Sequence, residues 1–374
     1  MYYFLSLNVP NQTLLYQIAF TIVPGIGDRV GKKLISYCGS VEAVFKEKKD
    51  ALLRIPGIGK ATANSIINHT SFERAEQEIN FIIKNKIKPL FYTDSEYPQR
   101  LLNCEDGPLM LYYKGKANLN KKRIISFVGT RRATTEGQMN CDRFIEGMVK
   151  KDVLIVSGLA YGIDSFAHKK AISEGIETVG VLGHGLDRIY PSQNKKLAAN
   201  MIEQGGLLTE FKSGTKPDRE NFPQRNRIVA GISDAVVVVE SAASGGALIT
   251  ADIANSYNRD VFAIPGRLTD VYSEGCNRLI KINKAALAES PKDIAYIMGW
   301  DDSKSNVKSQ RELFITLSPE QKQVLHIIEK NKKISIDNIA MLSKLSTSKV
   351  ASALLTLEFE GLIQGLPGKL YKAY

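Results

Sequence analysis

The run Ile124-Ile125-Ser126-Phe127-Val128-Gly129-Thr130-Arg131-Arg132-Ala133-Thr134-Thr135-Glu136-Gly137 decides how this chain is read. A short apolar stretch breaks at a glycine, passes two arginines and reaches a pair of threonines suited to start a helix. The glycine lets the strand end turn sharply, and Thr134 or Thr135 caps the helix with its amides free for an anion. Arg131 adds a planar fork that fits a phosphate. The turn lacks the second glycine of a dinucleotide fingerprint and the Gly-Lys-Ser/Thr of a P-loop.

The same alternation recurs downstream. Val153–Val156, Thr178–Leu182, Ala235–Val239 and Val261–Ile264 are further short runs rich in Val and Ile, and Gln138–Val149, Ser165–Ser173, Asn194–Gln204 and Ala247–Tyr257 are helical stretches. Continuous apolar strands alternating with helices predict an α/β domain over 121–298, a Rossmann-like, mainly parallel sheet flanked by helices. Ligands of such sheets bind beyond the carboxyl ends of the strands.

Those ends carry the chemistry. After the second strand, Ser157-Gly158-Leu159-Ala160-Tyr161-Gly162-Ile163-Asp164 offers two glycines for close approach, with Asp164 placed to cap the helix that holds His168. At i,i+4 spacing Asp164 and His168 are either an acid–base pair, with no nucleophile nearby, or pocket support with a locally satisfied histidine. Gly183-His184-Gly185-Leu186-Asp187, followed by Tyr190-Pro191, is another anion-sized turn, in which His184 sits in a flexible setting open to a ligand.

Asn221-Phe222-Pro223-Gln224-Arg225-Asn226-Arg227 begins a helix, with Pro223 in its first turn. Arg225 and Arg227 are two apart and point differently. Either one clamps a phosphate while Phe222 stacks on a base, or one is an internal ion pair to Glu210 or Glu240, or both hold. Ser244, Gly245 and Gly246 precede a helix as a phosphate nest, and Pro265-Gly266-Arg267 brings a further cation to the same edge. One mononucleotide needs one or two such nests; several in series suit a polymer.

The flanks are smaller. Val23-Pro24-Gly25-Ile26-Gly27 returns as Ile55-Pro56-Gly57-Ile58-Gly59, each before a helix, giving a helical domain over 1–82 with tandem helix-hairpin-helix (SAM-like) units. These hairpins either hold phosphate at a helix N-terminus or serve packing or partner contact, and Asp28 in the first favours the latter. Residues 83–120, rich in aromatics and prolines, bridge to the core and pack on it. A polar linker over 299–315, including Asp301–Glu312, leads to three helices and a hairpin with Pro367-Gly368 at its tip, a winged-helix-like domain over 316–374. Its third helix, Ser346–Glu360, has Lys349 as its one basic residue, so partner contact suits it better than duplex reading.

Composition bounds the rest. The 374 residues carry a formal charge of +11, which favours a polyanionic partner without specifying which. Cys38, Cys104, Cys141 and Cys276 are scattered, predicting reduced thiols and no zinc site. No apolar run approaches the ~20 residues of a membrane span, and the first residues do not read as a secretory signal. No cofactor or metal is expected.

Taken in order, Gly129-Thr130-Arg131, Ser157–Asp164 with His168, Gly183–Asp187 with Tyr190-Pro191, Phe222–Arg227, Ser244–Thr250, Pro265-Gly266 and Gly275-Cys276-Asn277 closely resemble the DprA/Smf DNA-processing family. Two departures are visible, Thr130 where the family often has serine and Gly246 where it often has a side chain. The resemblance implies a cytoplasmic, non-catalytic homodimer that binds and protects incoming single-stranded DNA and helps load RecA recombinase during natural transformation. It implies strand contacts at Gly129, Arg131, Phe222, Arg225, Arg227, Gly245 and Gly246. Gly158, Asn226, Ser244 and Arg267 join that list from the turn chemistry above. Two other classes stand beside it: a nucleoside-monophosphate phosphoribohydrolase using Glu240 or Glu210, and a protein-interaction scaffold with vestigial anion sites.

Overall fold

The computed structural model describes residues 12–300, 317–331, 333–366 and 369–373, so the linker from Asp301 onward and the wing tip Pro367-Gly368 lie outside the described residues. Two compact units part at residues 301/302.

The first unit opens with α1 (Gln12–Phe20), α2 (Asp28–Cys38), α3 (Val41–Lys46), α4 (Lys49–Arg54), α5 (Lys60–Ile67) and α6 (Ser71–Asn85). The repeat seen in the sequence is a repeat in backbone. Gly25 and Gly57 both sit at φ 84°, which a side chain would strain, and Gly27 and Gly59 cap α2 and α5 in the same extended conformation. Next, β1 (Lys88–Phe91), α7 (Gln99–Leu102) and β2 (Met110–Gly115) follow. The bridging segment therefore does more than pack on the core: β1 and β2 are antiparallel strands of the central sheet itself.

The α/β part runs β3 (Arg123–Val128), α8 (Thr135–Glu146), β4 (Val153–Ser157), α9 (Ile163–Ser173), β5 (Thr178–Val181), α10 (Lys195–Gln204), β6 (Gly206–Thr209), α11 (Asn221–Gly231), β7 (Ala235–Val238), α12 (Gly246–Ser256), β8 (Asp260–Ala263), α13 (Glu274–Lys281), β9 (Ala286–Leu287) and α14 (Pro291–Ile297). The sheet order is β1-β2-β6-β5-β4-β3-β7-β8-β9, parallel from β6 to β9. Strand β6 is not marked in the sequence; Gly206-Leu207-Leu208-Thr209 has only two large apolar residues and follows a glycine cap directly.

Both faces of these strands are covered. Ile124, Val156, Val236 and Val238 pack in one apolar cluster, while their neighbours Ile125, Phe127, Ile155 and Val237 pack in another. That is why the strands read as unbroken apolar runs rather than alternating ones. The chain leaves β3 toward β4 on one side, whereas β7 pairs on the other. The order thus reverses between β3 and β7, and the loops leaving their carboxyl ends diverge around a crevice.

The second unit contains α15 (Pro319–Lys330), β10 (Ile334–Ser335), α16 (Ile336–Ser343), α17 (Thr347–Phe359), β11 (Ile363–Leu366) and β12 (Leu370–Ala373), a three-helix winged-helix unit with sheet order β10-β12-β11. Ser318 and Gln321 close a capping box at the start of α15. On α17, Lys349 pairs with Glu320 at 2.7 Å, so this cation is engaged inside its own unit.

Candidate functional site

An open crevice of about 670 Å³ lies at the switch point, bounded by the loops after β3, β4 and β7 and by the first turns of α11 and α12. Its walls are built from glycine turns for a steric reason at each place. A side chain at Gly129 would run into Ile163 at the start of α9. Thr130 N–H donates to Glu240 O at 2.8 Å, tying the β3 loop to the β7 loop. Thr134, rather than Thr135, caps α8: its hydroxyl accepts from Gly137 N–H at 3.0 Å and donates to the Glu240 carboxylate. Gly245 caps α12 without any side-chain bond, leaving the first amides of that helix at the crevice wall. Ser244 and Gly246 line the same wall, and Asn226 reaches Gly246 O at 3.4 Å.

Under the floor lies a buried cation. Arg225 is 3 % exposed, and its Nη1 donates to Val181 O at 2.7 Å. Its guanidinium occupies the space a Cβ at Gly158 would take, so Gly158 serves the arginine as well as lining the crevice. Burial pushes Arg225 down to about 10, with Asp164 opposing, so it stays charged at neutral pH. Burial raises the Asp164 carboxyl against the lowering pull of Arg225 and of its hydrogen bonds, among them one from Ala160 N–H at 3.3 Å. Asp164 is therefore not the helix cap that its position suggested. Gly162 occupies that place, and the carboxylate turns back to the preceding loop, facing the arginine.

His168 is fully buried one turn further on, with Nδ1 at 2.7 Å from the Thr178 hydroxyl. Burial first, then the charge of Arg225, pushes it down to about 3, so it is a neutral core group and not half of an acid–base pair. His184 is likewise 1 % exposed rather than flexible. Its Nδ1–H donates to Gly185 O at 2.9 Å and its Nε2 accepts from Tyr190 N–H at 3.2 Å, which fixes both the ring and the loop that carries Tyr190.

At the rim the side chains are accessible. The exposed guanidinium of Arg131 sits over the Phe222 ring, 5.3 Å from its centroid, and Tyr190 lies 5.9 Å from the same ring at a 43° tilt. A cation–aromatic pair of this kind presents a flat apolar surface next to a fixed positive charge. Arg219, exposed in the loop before α11, lines the crevice too. Its sequence context does not single it out, because a lone arginine in a polar loop resembles any surface charge.

Arg227 and Arg267 are not brought to the crevice. Arg227 leaves the opposite side of α11, donating to Asp106 O at 2.6 Å, to Asp28 at 3.0 Å and to Glu210. The internal-pair alternative thus describes Arg227, with Glu210 as its partner. Arg267 is exposed beyond the crevice lining. Glu240 is 5 % exposed, with both carboxylate oxygens taken by Thr134. Among the described residues, no cluster of three or more His, Cys, Asp and Glu has metal-binding geometry, and no helix is long and apolar enough to cross a membrane.

Comparison with known proteins agrees with this architecture piece by piece. Residues 88–299 match the family described as DNA recombination-mediator protein A, residues 19–70 a SAM-like helix-hairpin-helix tandem, and residues 313–369 the DprA winged helix domain. Protein Smf of Synechocystis sp. is 31 % identical over 398 residues, covering 97 % of this chain and 99 % of its own. DNA processing protein DprA of Streptococcus pneumoniae is 40 % identical over 201 residues, covering 54 % of this chain and 71 % of its own. The crystal structure of that pneumococcal protein aligns with a TM-score of 0.64 at 33 % identity, covering 75 % of this chain and 97 % of its own. A Helicobacter pylori DNA processing protein A, whose structure was described for its single-stranded DNA binding mode, aligns with a TM-score of 0.53 at 26 % identity, covering 58 % and 97 %. With three domains matched in order and a relative aligned over nearly its whole length, this chain belongs to the DprA/Smf DNA-processing family.

Proposed function

We propose that the crevice binds single-stranded DNA and that the protein protects incoming strands and hands them to RecA, acting as a non-catalytic cytoplasmic homodimer. One observation carries the reading: Arg131 stacked on Phe222 at the mouth of a crevice whose wall is made of uncapped α12 amides. A flat aromatic face takes a base of any sequence, while the adjacent cation and the amides take phosphates. Gly129, Gly158, Asn226, Ser244, Gly245 and Gly246 would meet the backbone, and Arg225 would set a positive potential from below. The H. pylori relative supports the choice of single strand over duplex.

The nucleotide-cleaving alternative needs an available glutamate, and the two on offer are committed to the Thr134 cap and to Arg227. Binding of a labelled oligothymidylate, followed by fluorescence anisotropy across a salt series, tests the proposal. Arg131→Ala should weaken binding and lower the salt slope by about one counterion. Phe222→Ala should weaken it with the slope kept. Unchanged affinity in both variants would place the strand elsewhere.

A further inference from the structure

Helix α11 has two jobs on two sides. Phe222, Arg225 and Asn226 face the crevice, while Arg227 turns away and is held by three acceptors from three other segments. One of those acceptors, Asp28, is the first residue of α2 in the helical domain. Its other oxygen accepts from Leu109 N–H at 2.8 Å, at the entry to β2. A single carboxylate thus joins the first hairpin, the entry to β2 and helix α11.

The sequence repeat shows that this is a specialised contact. The two hairpins share the same glycine turn and the same extended cap, so Asp28 corresponds to Lys60. In the second hairpin Lys60 is exposed, whereas Asp28 is partly buried and bonded through both carboxylate oxygens. In the first, a side chain at Gly31 would strike Leu109, so α2 is pressed onto the core. The pair itself is sequestered, with side-chain exposures of 10 % for Arg227 and 25 % for Asp28. A buried, multiply bonded arginine fixes orientation more than it adds stability.

From this geometry we infer that Asp28, through Arg227, is a positioning residue for strand binding, so that the helical domain sets the pose of α11 without touching the strand. Phe222 lies five residues before Arg227 on one rigid helix, roughly 7.5 Å along its axis. A tilt of roughly 10° about that anchor moves the ring by roughly 1 Å relative to Arg131 and the α12 amides. The inference rests on the crevice being the strand site.

The test uses the full chain and a labelled oligothymidylate. Asp28→Asn keeps the shape and the acceptor for Leu109 N–H but removes the charge that holds Arg227. Simple electrostatics predicts tighter DNA binding, since a negative charge is lost; positioning predicts affinity lower by roughly fivefold or more, with the salt slope unchanged. Coupling is reciprocal, so the oligonucleotide should slow amide exchange in Gly27–Lys33 of the parent and not of Asp28→Asn. Arg227→Lys, which keeps the charge and loses the fork, should reproduce the affinity loss if Asp28→Asn does not fold.

Parent-like or tighter binding by the folded variants, while Arg131→Ala binds weakly, would overturn the positioning role and leave the crevice assignment standing. A salt slope lowered by about one in Asp28→Asn would also overturn it, by showing a change in phosphate contacts. If Arg131→Ala and Phe222→Ala bind like the parent, the crevice assignment itself falls.

Discussion

Gly158→Ala is the substitution on which the buried floor makes its sharpest demand. The backbone at Gly158 is not in the left-handed region, so an alanine on its own would be tolerated and would gain about 0.4–1 kcal/mol from a stiffer unfolded chain. The added methyl, however, would lie 2.5 Å from Nη2 of Arg225 and closer still to Nη1 and Cζ. The guanidinium must then leave its slot and give up the bond to Val181 O. Losing a charged hydrogen bond costs about 1.5–3 kcal/mol, and overpacking that the arginine cannot escape costs about 1–3 kcal/mol. A net loss of about 2–4 kcal/mol is expected in urea unfolding of the first unit. The decisive comparison places Gly158→Ala in an Arg225→Ala background, where the slot is empty and the substitution should be neutral or mildly stabilising. A coupling of about 2–4 kcal/mol between the two sites is the expected result. If Gly158→Ala costs as much without the arginine as with it, the glycine does not exist to seat Arg225, and the floor is held by something else.

Three further outcomes are expected from the same structure. Thr134→Ala removes both the α8 cap and a hydrogen-bonding partner of the buried Glu240, and should cost about 1–2 kcal/mol in urea unfolding, where a Thr134→Ser variant stays near the parent. His168, at about 3 in the fold against 6.5 free, is protonated in the unfolded chain and neutral in the native one across that window. Its contribution to stability is therefore full above about pH 6.5 and falls with acidification by at most about 1.4 kcal/mol per pH unit, so His168→Gln should show a flatter stability profile from about pH 6 to about pH 5; equal slopes would mean the buried ring is protonated. Gly31→Ala should loosen the packing of α2 on Leu109, seen as faster amide exchange in α2, whereas Gly59→Ala in the second hairpin should leave exchange there unchanged.

Much of the fold was legible because the strands are buried on both faces. Runs such as Ile124–Val128 and Ala235–Val239 are buried along their whole length, with no solvent-facing side to break the apolar pattern. The crevice was legible for a related reason: each glycine turn sits at a strand end, and parallel strands bring those ends to one edge. What stayed hidden were short or solitary signals. Strand β6 shows only Leu207 and Leu208 as large apolar residues, and Arg219 is one cation in a polar loop.

The illegible part with most consequence is the division of labour along α11. From spacing alone Arg225 and Arg227 were expected to diverge, and they do, but spacing does not say which of them meets the ligand. The answer depends on residues distant in sequence: Asp28 and Glu210 wait on one side of the helix, and Gly158, Val181 and Asp164 on the other. Neither arginine is a free surface cation. Arg225 is seated under the crevice and faces a single buried carboxylate; Arg227 is enclosed by acceptors on the far side. A linear motif of arginines therefore writes one buried charge below the crevice and one internal ion pair behind it, while the accessible charges, Arg131 and Arg219, come from loops elsewhere in the chain. In a site of this kind, substitution of the motif arginines perturbs stability and pose as well as contact. For that reason Arg131 with Phe222, not Arg225 or Arg227, is the pair whose loss tests the proposed strand binding cleanly.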